Sequence, residues 1–216
     1  MRRMSGLLLT VVFLGLFATP GYAQKDAWKN KWYWGAQVGA YMFSTPTQTT
    51  DAAFEVGGHW LITTERVGLH MGLSQVVYQN GTTSAIPDGT PQGFAVDFSR
   101  GRRLLAEVYV FPTDGQLQMY AGGGFVINMI TDAQSTVLPT SPQQEQAIAQ
   151  VLEQHTTKAF FSVTGGVQWR FGRSAMFATY QFIPSGRDFL ISSTQHSFTG
   201  GLRYALTASS QDVSTA

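Results

Sequence analysis

Arg103-Leu104-Leu105-Ala106-Glu107-Val108-Tyr109-Val110-Phe111 is the stretch on which the fold turns. Successive side chains of a strand point to opposite faces, so Leu104, Ala106, Val108 and Val110 share one face and Arg103, Glu107 and Tyr109 share the other. A shift of one residue would exchange the two sets, so the charges report which face is which. The same alternation recurs along the chain. Glu55, His59, His70, Arg170 and Arg203 all fall on the face that also carries small and amide side chains, while the opposite face reads Trp, Val, Leu, Met and Phe. A charged inner face with an apolar outer band is what a bilayer-spanning β-barrel requires.

Eight such segments are expected, at 32–43, 52–63, 67–78, a fourth ending at 111, then 116–129, 158–171, 175–183 and 194–206. Residues 94–98 alternate as well, which predicts that the hairpin before the fourth strand rises above the membrane. The connections then sort themselves. Every second link is a turn of about four residues or fewer, and the others run from about eight to nearly thirty. Short turns at one end and long loops at the other are the asymmetry of outer-membrane barrels, and an even strand number returns both termini to the short-turn side. The expected fold is an all-β, eight-stranded antiparallel up-and-down barrel with one short helix in its third long loop.

Outside the strands, residues 1–23 read as a secretory signal peptide. Arg2 and Arg3 give the positive start, Leu7 to Phe17 the apolar stretch, and Pro20, Gly21 and Ala23 the small-residue exit, with cleavage expected between Ala23 and Gln24. The barrel is then expected over 24–206 and a polar tail over 207–216. The chain has no cysteine, which excludes disulfides, thiolate metal sites and lipoprotein attachment. Removing Arg2 and Arg3 from the 14 basic residues leaves 12 against 13 acidic ones, a balance that gives no reason to expect nucleic acid as a partner.

An eight-stranded barrel is only wide enough for its own side chains to fill, and buried charges must then be compensated. Glu55 and Glu107 are expected to pair with Arg103, Arg170 and Arg203 in an interior network that also holds His59 and His70, helped by Gln37, Gln118 and Gln168. That network is read either as a packed plug or as a narrow polar path. Trp28, Trp32, Trp34, Trp60 and Trp169 fall where the short-turn ends of strands are placed, and are expected to form an interfacial aromatic girdle.

The whole 24–206 segment resembles the family of small eight-stranded outer-membrane β-barrels, of the kind of the OmpA transmembrane domain and OmpX. The resemblance lies in this pattern and in Gly201-Leu202-Arg203-Tyr204-Ala205-Leu206, which looks like the strand signal read by the barrel-assembly machinery. Gly166-Val167-Gln168-Trp169-Arg170-Phe171 has the same layout. The chain departs from the family in ending its last strand on Leu206 rather than on an aromatic residue, with polar residues following. The resemblance implies an outer-membrane location, lipid and the assembly machinery as partners, and a monomer.

The longest loop holds a helix signature. Ser141 reads as an N-cap with Pro142 at the first helical position and Gln144 completing a capping box. Ile148, Val151 and Leu152 then form an apolar stripe, read either as a contact for a partner or as packing on neighbouring loops. Catalysis finds no constellation. His196 and Ser197 are adjacent and so face opposite ways, and His70 lies about 13 Å from Ser74 at strand rise. His59 facing His70 across a hairpin reads as a satisfied interior pair rather than a metal site, so no metal, cofactor or enzymatic activity is expected. The leading functional expectation is a structural or surface-interaction role, with docking of another envelope or surface protein on the long loops. A narrow channel for ions or small solutes is one alternative. A periplasmic lipocalin-like barrel, apolar inside and charged outside, is another.

Overall fold

The computed structural model describes residues 30–79, 82–86, 94–113, 115–184 and 189–208. In chain order its elements are β1 (Lys31–Phe43), β2 (Asp51–Thr63), β3 (Val67–Val77), β4 (Thr83–Ile86), β5 (Phe94–Phe98), β6 (Arg100–Val110), β7 (Leu117–Ile130), β8 (Ala133–Ser135), α1 (Pro142–Thr156), β9 (Thr157–Phe171), β10 (Ser174–Ile183) and β11 (Gln195–Ala208). Eight of the strands close into an antiparallel barrel in the order β1-β11-β10-β9-β7-β6-β3-β2, so each is hydrogen-bonded to its sequence neighbour in the barrel, and β11 returns to β1. The expected signal peptide, Trp28 and the tail beyond Ala208 lie outside the described residues. β11 itself continues past Leu206, where the sequence reading ended it.

Closure sorts side chains as the alternation requires. Along β6 every second residue is buried, with Arg103, Leu105, Glu107 and Tyr109 inside and Leu104, Val108 and Val110 outside. Exposed Val, Leu, Met, Phe and Trp side chains from all eight barrel strands make a continuous outer band. So large an apolar surface needs lipid, not water, as its solvent. The inside-polar, outside-apolar order is the reverse of a lipocalin-like binder, and that alternative falls. Among the described residues no helix is long and apolar enough to cross a membrane, which leaves any crossing to the strands.

The turns follow from local chemistry. At the short end Thr64 N–H donates to the Val67 carbonyl at 2.8 Å, closing the β2–β3 hairpin. Gly115 (φ 134°) and Gly172 (φ 60°) make the other two short turns, in backbone conformations that a Cβ disfavours. Trp32, Trp34, Trp60 and Trp169 stand outward near these turns, each about half exposed. Register places Trp34 between Trp60 and Tyr204, so three neighbouring strands present aromatic rings at one depth.

The opposite end carries structure that the sequence reading only partly foresaw. β5 matches the alternating segment at 94–98, but β4 and β8 were not expected. The three form a separate sheet in the order β4-β5-β8, above the barrel mouth. α1 begins as expected, with Gln144 N–H donating to the Ser141 hydroxyl and Pro142 in its first turn. No residue of α1 is fully buried. Ile148, Val151 and Leu152 pack, half-buried, on the apolar cluster of the mouth.

Candidate functional site

Among the described residues the buried charges gather in the lumen, at two levels. In the middle, Glu55 on β2 faces Arg103 on β6 with Nη1 to Oε2 at 2.5 Å. Glu55 also accepts from the hydroxyls of Ser74 (2.5 Å) and Ser197 (2.9 Å). Arg103 donates through Nε to Asn128 Oδ1 at 3.2 Å and through Nη2 to Gln181, and its guanidinium lies 4.9 Å from the Tyr41 ring centre. Gln181 passes the chain on, donating to Glu107 Oε1 at 2.7 Å. Glu107 accepts further bonds from Ser162 (2.7 Å), Thr164 (2.6 Å) and Tyr109 (2.8 Å), with His70 Nδ1 at 3.6 Å. Each carboxylate is thus ringed by donors, the condition under which a buried ion is tolerated.

Below this level, towards the short turns, Arg203 is as deeply buried as Arg103 (2 % exposed each) but, among the described residues, touches no carboxylate. Its guanidinium lies 4.1 Å from the centre of the Phe177 ring, with the Tyr120 hydroxyl in hydrogen-bonding reach and Tyr33 and Tyr109 close by. Nε and Nη1 find no hydrogen-bond partner, and neither do the ring nitrogens of His59, which packs edge-on to the same Phe177. A ring face attracts a cation electrostatically, more strongly when water is excluded. Inward glycines make the room. A Cβ at Gly166 would meet the Tyr120 ring at 2.5 Å, and one at Gly201 would meet Phe177 at 2.9 Å.

Two corrections to the sequence reading follow. Arg170, though on the inward register, lies at the end of β9 and donates to the Gly115 carbonyl (3.1 Å from Nε), bracing a short turn. Strand period gives the face of a residue but not its height, and at this height Arg170 bonds to the turn. Nor is the lumen polar throughout. Tyr33, Leu61, Tyr109, Phe111, Tyr120 and Ala205 close the short-turn end, and Tyr41, Phe43, Val76, Tyr78, Phe160 and Ile183 fill the mouth beneath Phe189, Leu190 and Ile191. Between these stoppers a cavity of about 20 Å³ remains beside Glu55, Glu107 and Gln181. That is room for about one water.

Of the expected interior residues, the structure brings together Glu55, Arg103, Glu107 and His70, and sets His59 and Arg203 in the aromatic level. Gln118 and Gln168 bond each other at 2.7 Å near the short turns. Gln181 and Gln195 were missed, and Asn128, Ser162 and Thr164 were read as inward-facing but not as members of the network. Their signal was the same inward parity, without a charge to draw attention to it. Among the described residues no cluster of three or more His, Asp or Glu could hold a metal ion.

Four loops meet over the mouth. Thr45 and Thr47 donate to the Thr83 carbonyl (2.6 and 2.7 Å), Ser84 donates to the Leu190 carbonyl (2.7 Å), and Leu190 N–H donates to the His155 carbonyl (3.2 Å). Ser44 N–H donates to Ser193 Oγ at 2.6 Å. The result is a stitched cap whose outer side shows Val137 and a nearly fully exposed Leu138 (85 %).

A closed barrel with eight strands, a filled lumen, short turns at one end and a cap at the other defines the class: the fold is that of the small eight-stranded outer-membrane barrels. Among solved structures it is similar to Neisserial surface protein A (NspA), with a TM-score of 0.55 and 12 % identity, the match covering 81 % of this chain and 97 % of that one. The outer membrane protein OprG from Pseudomonas aeruginosa gives a looser match, with a TM-score of 0.45 and 9 % identity over 84 % of this chain and 99 % of that one. No protein-family model matches the chain, and no curated protein matches it. The likeness is one of fold.

Proposed function

We propose that this protein is a non-conducting, non-enzymatic barrel of the outer membrane, exported by a cleaved signal peptide, which serves as a scaffold for an interaction surface at its outer end. The observation that carries this reading is the lumen. Glu55 and Arg103 pair, neutral donors ring Glu107, aromatic rings surround Arg203, apolar side chains stop both ends, and the cavity beside the two carboxylates holds about 20 Å³. A path for hydrated ions needs a continuous wet column, and side chains fill that column here. The chemistry available to a partner is then on the cap. There β4, β5, β8 and α1 are held as one unit by bonds between loops, and Val137 and Leu138 project from it. Another envelope or surface protein is the partner class this surface fits.

Planar-bilayer recording of the refolded 24–216 chain at several salt concentrations tests the reading. A folded, electrically silent barrel is the expected result. Reproducible conductance steps that vanish in Arg103→Met would overturn it and return the channel alternative. Location is tested separately. The cellular protein should resist carbonate extraction and begin at Gln24 on N-terminal sequencing.

A further inference from the structure

The outward face of β6 breaks the apolar band at one place. Its outward residues run Val110, Val108, Ala106 and Leu104 from the short-turn end, and then Arg102 and Arg100, both exposed. Among the described residues no ion pair reaches either arginine. The nearby Asp132 carboxylate instead accepts from Ser99 at 2.5 Å. Register sets Arg102 opposite Gln75 and Arg100 opposite Val77 on β3. The Gln75 amide is tied back to the Gly101 carbonyl at 2.8 Å, so it does not occupy the guanidinium groups. Val77 in turn borders a shallow, open recess at the outer ends of β1–β3, lined also by Ala40, Ala52 and Phe54.

We propose that Arg100 and Arg102 form a binding site for the phosphate groups of an outer-leaflet glycolipid, one of whose acyl chains lies in the Ala40–Ala52–Phe54–Val77 recess. The site rests on the reading of the barrel as an outer-membrane protein with its long loops outward. Two residues apart on a strand, the arginines project from the same face about 7 Å from each other. Arginine on the lipid face costs roughly 2–4 kcal/mol at the bilayer midplane but about 0–1 kcal/mol near the interface. The rim of the band is therefore where such a pair is tolerated. The planar guanidinium fork matches phosphate oxygens two at a time, and its attraction for them grows as water is excluded. Basic side chains at this depth are the general means by which membrane proteins hold anionic head groups. The recess beside them has the complementary chemistry, small and apolar, that an acyl chain needs.

Native mass spectrometry of the refolded barrel released from detergent, with lipid A added at fixed ratio, tests the proposal. Lipid A should be retained, and dephosphorylated lipid A, phosphatidylglycerol and the R100Q/R102Q variant should each lower the retained fraction tenfold or more. R100K/R102K should fall between, since an ammonium keeps the charge but loses the fork. Inorganic phosphate at millimolar concentration should not displace the lipid. Full retention by R100Q/R102Q, equal retention of either control lipid, or displacement by free phosphate overturns the site. The heat-dependent gel shift of each variant shows that it is folded. Failure of the outer-membrane reading looks different: that protein would leave the membrane in carbonate, whereas a barrel that is folded and membrane-held but indifferent to phosphate removes the site alone.

Discussion

Two arginines of one lumen, equally buried, are held in opposite ways. Arg103 is fixed by a carboxylate at 2.5 Å, two side-chain oxygens and the face of the Tyr41 ring, whereas Arg203 stands over Phe177 among phenols and, among the described residues, touches no anion. Among the described residues the four fully buried formal charges cancel, Arg103 and Arg203 against Glu55 and Glu107, but only one of the arginines cancels by contact. A contact pair concentrates its stabilisation in two atoms, and loss of one partner leaves an uncompensated ion. An aromatic cage spreads the same task over several rings, none of which is ionised. The difference predicts unequal fragility.

The largest effect should come from Glu55→Ala, which leaves Arg103 buried without its counter-ion and is expected to cost about 3–5 kcal/mol. The urea midpoint of the refolded barrel in lipid vesicles measures it, and the double variant Glu55→Ala/Arg103→Met should recover most of the loss. Next comes Phe177→Leu, which removes the ring face under Arg203 and should cost about 2 kcal/mol by the same measurement. A loss as large as that of Glu55→Ala would mean that the cage is as concentrated as the pair. Gly166→Ala pushes a methyl against Tyr120 and should cost about 1–3 kcal/mol through overpacking. Smallest of all, Arg203→Met should shift the midpoint by less than about 1 kcal/mol, because Glu107 keeps its Ser162, Thr164, Tyr109 and Gln181 donors. A shift comparable to that of Arg103→Met would erase the distinction between the two arginines.

The comparison also marks what the sequence could tell. The barrel was legible because lipid and lumen are two solvents, and each strand must sort its side chains between them with period two. Parity gave the eight strands and put Glu55, Arg103, Glu107 and Arg203 inside, and the turn–loop asymmetry supported the count independently. Height was not legible. It depends on the stagger of neighbouring strands, which brings Gln181 from β10 to both Arg103 and Glu107 and leaves Arg170 beside Gly115. Parity also set Tyr33, Tyr41, Tyr109 and Tyr120 inward, but Phe43, Phe111 and Phe177 escaped because, by residue type, they look like lipid-facing neighbours. β8 escaped because three residues carry no period, and Ala133–Ser135 is a strand only by virtue of β5 beside it.

The seam of the barrel has a kinetic consequence. β1 is the first strand of the described residues and β11 the last, yet Lys31 lies opposite Ala208, and the register from Tyr33↔Ala205 to Met42↔His196 joins the two strands along nearly their whole length. An intermediate that lacks the last strand exposes unpaired backbone along both β1 and β10, and in hydrocarbon each unsatisfied N–H and carbonyl is costly. Partial barrels are therefore poor resting states, and insertion and closure should be one cooperative event that waits for the end of the chain. A chain cut just before Gln195 should accumulate as an aggregation-prone or protease-sensitive species, rather than as a smaller barrel.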